Sequence, residues 1–305
     1  MEDYPRNLLE FEERFATEEA CREYLAALRW PEGFRCPHCR GQEAWTTRRG
    51  LFYCKACGVQ VSVTAGTLFQ DTRKPLRLWF RAIWQVTSQK HGVSALGLQR
   101  ALGLGSYRTA WLWLHRLRRA MVRPGRDRLN GLVQVDEAYV GGEEPGAPGR
   151  GALGKSLVFV AAELGEENRI GRIRLLRIED ASMMTLHEAI WACVEPGSTV
   201  QSDGWVGYNR LDMVGYGHEV VRPSRKREQN LLPTVHRVVS LLKRWLLGTH
   251  HGAIRPSHLD YYLDEFTFRF NRRTSRSRGK LFYRLVQQAL QIEPVHGHAI
   301  AGRRA

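Results

Sequence analysis

Four of the six cysteines form two Cys-x-x-Cys pairs, Cys36 with Cys39 and Cys54 with Cys57, separated by fourteen residues. Each pair can bend around one ion, and two pairs complete a tetrahedral shell of four thiolates. The interval is just short of the usual zinc-ribbon spacing and is compatible with it. The alternative, two redox-active pairs, requires a thioredoxin-like strand–helix–strand context, which the sequence lacks. We therefore expect one structural Zn²⁺ in residues 1–72, which comprise an N-terminal helical segment and a zinc ribbon.

The chain is strongly basic, because 46 Lys and Arg residues against 31 Asp and Glu residues give a net charge of +15. Such an excess predicts a polyanionic partner, most simply nucleic acid, with an acidic membrane surface as the alternative. No apolar run approaches the roughly 18 residues that span a bilayer, and the first residues do not resemble a signal peptide. Cysteine usage typical of metal sites predicts a reducing cytosol, with Cys21 and Cys193 as buried small hydrophobic side chains. The basic residues concentrate in three segments, 114–128, 222–227 and 270–280.

Residues 73–124 are predicted to form a helical domain that ends at Pro124-Gly125. Two helices, over 91–103 and from Ser106 onward, are joined by a short glycine-containing turn, which is typical of a helix-turn-helix. An ordinary helical hairpin that only packs between its neighbouring domains is the alternative. In a helix-turn-helix, the residues best placed to meet base edges or phosphates are Ser106, Tyr107, Arg108 and Thr109.

From Leu132 onward, the alternation of β-branched residues indicates strands, interrupted by a glycine-rich stretch at 141–154. Strands interleaved with helices in this order predict an α/β fold with a mixed sheet. The predicted strands cover residues 131–140, 156–164, 171–179, 198–203 and 218–223. The predicted helices cover residues 183–194, 232–247 and 257–272.

Two aspartates stand out in these strands. Asp136 lies within an apolar alternation, where a carboxylate is unfavourable unless it has a metal ion or a partner. A buried arginine is the alternative partner. Asp203 ends the fourth strand and is followed by Gly-Trp, so it projects from the carboxyl end, where α/β folds bind ligands. Carboxylates from separate elements can hold two metal ions about 4 Å apart for phosphoryl transfer.

Three motifs in this region sharpen the prediction: VDEAYVGG, SDGWVGYNRL and SLLKRWLLGTHHGAIRPSHLDYYLDEFTFRFNRR. With the predicted zinc ribbon and helix-turn-helix ahead of them, they resemble insertion-sequence transposases of the DDE type, in particular the ISXO-like group of the fifteen-ninety-five family. The resemblance covers about residues 20–285. It implies an RNase H-like catalytic domain over 130–285, followed by a tail at 286–305.

The resemblance also implies an activity. Such a transposase binds the terminal inverted repeats of an insertion sequence, and it cleaves and transfers DNA strands with two Mg²⁺ or Mn²⁺ ions. Asp136 and Asp203 would hold the ions, and Lys243 would contact a phosphate near the scissile bond. The expected assembly is a homodimer or higher oligomer on terminal-repeat and target DNA, associated with the nucleoid in a prokaryotic cytoplasm.

The family's third catalytic residue, commonly Glu or Asn, corresponds here to His236, which gives a DDH-type set. Lys243 lies seven residues further on, about 10.5 Å along the same helix face. A neutral imidazole can bind a divalent cation, although Mg²⁺ prefers oxygen, so Mn²⁺ would be favoured. A proton shuttle and a core histidine without a catalytic role are the alternatives. Glu228 would need a shift in register to serve, and Glu137 is expected to point to the opposite side of its strand.

Two other functions fit the same residues. One is a DNA-binding regulator that keeps the zinc ribbon and helix-turn-helix but has a decayed catalytic domain. The other is a metal-dependent nuclease that cuts DNA without transferring strands.

Overall fold

The structure is a computed structural model, and it describes residues 2–122, 125–141, 155–222, 231–252, 254–295 and 297–302. In these residues it has ten α-helices: α1 (Leu8–Arg14), α2 (Glu18–Arg29), α3 (Leu76–Ser88), α4 (Ala95–Leu102), α5 (Tyr107–Ala120), α6 (Met183–Cys193), α7 (Pro233–His250), α8 (Leu259–Phe270), α9 (Arg278–Gln291) and α10 (Gly297–Ile300). It has eight strands: β1 (Ala44–Thr46), β2 (Phe52–Cys54), β3 (Gln60–Val61), β4 (Leu132–Val140), β5 (Ser156–Leu164), β6 (Ile170–Ile178), β7 (Thr199–Ser202) and β8 (Gly217–Val220). Every helix in these ranges is too short or too polar to cross a lipid bilayer.

Some of the predicted features lie outside the described residues. They are Pro124, nearly all of the glycine-rich stretch, Glu228, and the basic segment from residue 223 to 227.

The chain divides into two compact units, residues 1–123 with 275–305, and residues 124–274. The predicted boundary between the zinc ribbon and the helix-turn-helix falls inside the first unit and stays a prediction. Residues 275–285, which were predicted to belong to the catalytic domain, group instead with the first unit. The predicted tail also differs, because α9 continues to Gln291 and α10 follows.

Aromatic packing explains why α9 belongs to the first unit. Phe282 on α9 is fully buried. Its ring lies 5.3 Å from that of Phe11 on α1 and 5.6 Å from that of Phe80 on α3, both edge to face. Aromatic pairs at these separations stabilise a core beyond the area that they bury.

The first unit contains a small antiparallel sheet in the order β1-β2-β3. Few apolar side chains support it. Phe34 and Phe52 stack with their ring centroids 5.5 Å apart, and Trp30 packs against both. Trp45 remains 50% exposed on the outer surface, where it stacks on Tyr53.

Helices α4 and α5 form a hairpin. The Ser94 hydroxyl accepts a hydrogen bond from the Gly97 amide at the start of α4, and Gly103 ends α4 in the left-handed conformation that favours glycine. On α5, Trp113 stacks on Trp79 of α3 with centroids 3.8 Å apart. The predicted DNA contacts lie at the start of α5. Ser106, Tyr107 and Arg108 are exposed there, and Thr109 is half-buried. A hairpin is therefore present, and its action as a helix-turn-helix stays a prediction.

The second unit is built on a five-stranded mixed sheet in the order β6-β5-β4-β7-β8. Strands β4, β5 and β6 are antiparallel, whereas β7 is parallel to both β4 and β8. Helices α7 and α8 cover one face of the sheet and α6 covers the other, which gives two separate apolar cores. The predicted mixed α/β sheet is confirmed.

Part of the third basic segment supports the sheet edge. The Asn271 side chain acts as a strand substitute for β6, because Oδ1 accepts a hydrogen bond from the Ile173 amide at 2.8 Å and Nδ2 donates to the Ile173 carbonyl at 3.0 Å. Arg273 donates to the backbone carbonyls of Ile170 and Gly171. Covering an edge strand in this way blocks pairing with another chain.

Both isolated cysteines are buried, as predicted. Cys21 lies in α2 with none of its surface exposed, and Cys193 at the end of α6 is 1% exposed. Burial is the main reason why the pKa of each thiol rises to about 12. Both therefore stay protonated and act as small apolar side chains.

The carboxyl group of Asp264 on α8 makes folding stability pH-dependent. Burial raises its pKa from 3.8 to about 7, partly offset by the positive charge of Arg126. Between these values the unfolded chain releases a proton that the folded protein keeps, so stability falls as pH rises from about 4 to 7 and then levels off. The total effect is at most about 4 kcal/mol.

We therefore expect Asp264→Asn to match the parent near pH 4, to become more stable than the parent as pH rises to 7, and to keep that advantage at pH 8. Urea denaturation across this range measures the difference. Asp212→Asn, at an exposed position of the same unit, serves as the control. An advantage for Asp264→Asn that does not change with pH would contradict the prediction.

Candidate metal centre and catalytic site

The four paired cysteines converge on one point. Their sulfur atoms all lie within 4.8 Å of one another, with Cys36 Sγ 3.7 Å from Cys57 Sγ and Cys39 Sγ 3.5 Å from Cys54 Sγ. A tetrahedron with Zn–S bonds of about 2.3 Å has edges of about 3.8 Å. The backbone N–H groups of Cys39 and His38 lower the pKa of Cys36, which favours the thiolate that binds zinc. The cluster fits one Zn²⁺ ion in a closed site.

Asp136 lies in the middle of β4 on the face that α7 covers. Its partner on β5 is Val160, which belongs to the core beneath α7. The Asp136 Oδ1 atom accepts a hydrogen bond from the Glu137 amide at 2.8 Å, and Oδ2 lies 3.0 Å from Nε2 of His236. In the described part of the chain, the side chain that meets this carboxylate is His236 and not an arginine.

The electrostatic setting of Asp136 is unfavourable for a bare carboxylate. Its side chain is only 18% exposed. Burial is the main cause that raises its pKa, and the negative charge of Asp203 raises it further, while the Glu137 amide and His236 oppose the shift. The two causes that raise the pKa show that the Asp136 carboxylate is poorly hydrated and that a second negative charge lies near it.

Asp203 reaches the site from the neighbouring parallel strand. The parallel pairing of β4 with β7 extends to Gln134 and Gln201, and each aspartate follows two residues later in the sequence. Asp203 follows the last residue of β7 and is exposed, and its Oδ1 atom accepts a hydrogen bond from the Trp205 amide at 3.0 Å. The carboxylate of Asp203 is close enough for its negative charge to act on Asp136.

His236 approaches Asp136 from α7, which covers this face of the sheet. It lies in the first turn of α7, and its side chain is 47% exposed. This exposure and its contact with Asp136 do not fit a core histidine without a role. Among the described residues, the four cysteines are the one set of three or more candidate ligands close enough to hold a single ion. The structure thus joins Asp136 to His236 and brings Asp203 alongside without closing a three-ligand cage.

Two glutamines that the sequence analysis missed fix this arrangement. The Gln134 Nε2 atom donates to Gln201 Oε1 at 2.7 Å, and Gln134 Oε1 accepts from the backbone amide of Thr234 at 3.2 Å. Gln134 thereby ties the start of α7 to β4 two residues before Asp136, and His236 follows Thr234 by two residues. A sequence signal exists, because Val-Gln-x-Asp occurs at both aspartates.

Lys243 lies further along α7, away from the contact between Asp136 and His236. It is exposed and lines a cavity of about 600 Å³ with Lys155, Tyr139 and His251. Two lysines on one cavity make it suited to an anionic group. The lysine is therefore next to the end of β4 rather than at the aspartates.

Comparison with known proteins gives two family matches. Residues 128–271 match the family model of the ISXO2-like transposase domain, and residues 16–60 match that of the transposase zinc-ribbon domain. The first contains both aspartates and His236, and the second contains the four cysteines.

One relative and one solved structure are also similar. An uncharacterized protein in transposable element ISH50 of Halobacterium salinarum is 28% identical over 291 residues, which cover 87% of this chain and 94% of the relative. The catalytic core domain of BIV integrase aligns with 45% of this chain and 81% of its own length, at 15% identity and a TM-score of 0.30, which is too low to assign a fold. Two separate segments of the chain are therefore similar, in the order zinc ribbon then transposase domain, to ISXO2-like insertion-sequence transposases.

Proposed function

We propose that the protein is a DDE-superfamily DNA transposase with an RNase H-like catalytic domain. It binds the terminal inverted repeats of an insertion sequence and catalyses DNA strand cleavage and strand transfer. The observation that supports this proposal is the approach of Asp203, just beyond the end of β7, to Asp136 on the neighbouring strand, with His236 in contact with Asp136.

The donor set fits divalent cations. Asp136 and Asp203 supply carboxylate oxygens, and a cation would neutralise the negative charge that Asp203 adds beside the poorly hydrated Asp136. Two bound Mg²⁺ or Mn²⁺ ions would activate the attacking oxygen and stabilise the leaving oxygen of a phosphodiester. His236 would be a third ligand or would orient Asp136, and Glu137 lies on the opposite strand face.

The remaining residues would bind DNA. Lys243, with Lys155 beside it, would hold a backbone phosphate near the scissile bond. The zinc ribbon and the exposed start of α5 would recognise the terminal repeats, through Ser106, Tyr107, Arg108 and Thr109. The net charge of +15 favours encounter with DNA. Because two element ends must be joined, the active assembly would be a homodimer or larger on DNA.

The test is an in vitro reaction with the full chain, labelled terminal-repeat duplex and an unlabelled target duplex in Mg²⁺ and in Mn²⁺. Labelled strands joined to target DNA support the proposal. Cleavage without joined products would indicate a nuclease. Binding without cleavage in either metal would indicate a DNA-binding regulator.

A series at position 236 tests the histidine. We expect His236→Ala to lower cleavage at least about tenfold, because Asp136 loses its partner. His236→Glu should shift the preference from Mn²⁺ toward Mg²⁺, since an oxygen donor replaces nitrogen. His236→Asn should fall between the alanine variant and the parent. Cleavage rates of all four proteins in each metal measure this, and equal rates would remove any catalytic role for His236.

A further inference from the structure

The turn that follows Asp203 is held from several sides. The Trp205 amide donates to the Asp203 carboxylate, and the Trp205 indole nitrogen donates to the Ala181 carbonyl at 2.8 Å. Gly204 has φ of +85°, and a Cβ atom there would lie 2.7 Å from Cγ1 of Val220. The backbone that carries Asp203 is therefore tightly constrained.

A further contact connects this turn with β4. Tyr208 ends the short 3₁₀ turn Val206–Tyr208 and has none of its surface exposed. Its hydroxyl donates a hydrogen bond to Oε1 of Glu137, and its amide donates to the Trp205 carbonyl at 3.0 Å. Burial, and then the charge of Glu137, raise the pKa of Tyr208 well above its ordinary value, so the hydroxyl keeps its proton.

Glu137 is the residue after Asp136, and successive side chains of a strand point to opposite faces. Asp136 thus faces α7, while Glu137 faces the core that contains Tyr208. The bond between Glu137 and Tyr208 connects the backbone of one aspartate with the turn that carries the other. This bond lies on the opposite face of the sheet from Asp136, so neither Glu137 nor Tyr208 has to enter the space between the aspartates.

We propose that Glu137 and Tyr208 are positioning residues that set the separation of Asp136 and Asp203, and thereby the affinity of this pair for divalent cations. This inference rests on the proposed function, since it assumes that the two aspartates hold a cation. A buried hydroxyl that donates to a carboxylate fixes geometry more firmly than a neutral hydrogen bond, because charge-assisted bonds are shorter and stronger.

The variant Tyr208→Phe removes the donor and keeps the ring. We expect it to weaken Mn²⁺ binding about tenfold or more, the size of effect seen when partners of metal ligands are removed. Binding is measured in the zinc-loaded full chain by electron paramagnetic resonance of free Mn²⁺, with Asp203→Ala to identify the site. The Mn²⁺ concentration for half-maximal cleavage should rise by the same factor.

Two variants separate positioning from stability. Tyr216 is 3% exposed in the same core, and its hydroxyl donates to the Val194 carbonyl at 3.1 Å. Tyr216→Phe therefore loses a comparable buried hydrogen bond away from the aspartates, and we expect it to lower the unfolding midpoint but keep Mn²⁺ affinity. Glu137→Gln keeps an oxygen acceptor for Tyr208 but loses its charge, so it should weaken Mn²⁺ binding less than Tyr208→Phe does.

The results that would overturn the positioning role differ from those that would contradict the proposed function. Parent-like Mn²⁺ affinity in Tyr208→Phe, or equal losses in Tyr208→Phe and Tyr216→Phe, would overturn the positioning role even if the parent cleaves DNA. A parent that binds Mn²⁺ through Asp203 but never cleaves DNA contradicts the proposed function alone. A parent that binds no Mn²⁺ through Asp203 overturns the positioning role.

Discussion

Asp136→Ala is expected to lower DNA cleavage by about a thousandfold or more while DNA affinity stays within about twofold. Catalysis by metal ions depends on the ligands that place them, and the loss of one of two carboxylates removes transition-state stabilisation of several kcal/mol. The predicted DNA contacts, by contrast, lie at the start of α5, around the zinc ribbon and beside Lys243. Cleavage is followed on gels with labelled terminal-repeat duplex, and affinity by fluorescence anisotropy at a fixed salt concentration.

The matched control for this experiment is Asp212→Ala, which removes an exposed aspartate of the same unit. It should cleave at the parent rate. Circular dichroism must show that Asp136→Ala is folded, since the aspartate lies within a central strand. Cleavage at the parent rate by folded Asp136→Ala would exclude this site as the catalytic one. Equal loss of cleavage in Asp212→Ala would show that cleavage depends on the net charge of the unit rather than on Asp136 as a metal ligand.

Removal of the zinc is expected to unfold the ribbon and to weaken binding to terminal-repeat DNA. The ribbon has a small core, formed by Val61 with two of the cysteines and a few partly buried aromatic side chains. Structural zinc contributes on the order of 10 kcal/mol to the folding of such modules. Cys54→Ser should therefore lose the one bound zinc and the hydrogen-exchange protection of β1 to β3.

Cys21→Ser is the control for the zinc experiment, because Cys21 is buried in α2 rather than in the ribbon. It should keep one zinc per chain and the protection of the ribbon. Zinc content is measured by atomic absorption and protection by hydrogen exchange. Ribbon protection that survives complete removal of zinc would contradict a structural role for the metal.

Local patterns predicted the elements of the second unit well. The apolar stretch over 156–164 predicted β5 with its observed bounds, since a strand that is buried on both faces carries a continuous apolar run. Asp136 was singled out because a carboxylate within an apolar strand needs a metal ion or a partner, and Asp203 because it ends a strand where α/β folds bind ligands. These signals depend only on residues close together in the chain.

Long-range contacts were harder to predict. The packing of Phe282 against Phe11 joins residues that are hundreds of positions apart, and no period in α9 points to it. The attachment of α7 to Gln134 is of the same kind, although the repeated Val-Gln-x-Asp could have drawn attention to it. The distance of Lys243 from the aspartates depends on how α7 lies along β4, which the seven-residue spacing from His236 does not determine.

The first unit is assembled from both ends of the polypeptide, with the second unit encoded as one uninterrupted stretch between them. During synthesis, the second unit is therefore complete before the ribosome has made Phe282, which closes the aromatic core of the first. We expect a protein that is cut short after residue 274 to keep a folded catalytic unit but to expose Phe11 and Phe80 on its N-terminal part. Exposed aromatic surface of this kind promotes aggregation and degradation. A premature stop codon late in the gene would thus silence the protein through quality control, even with every predicted catalytic residue translated.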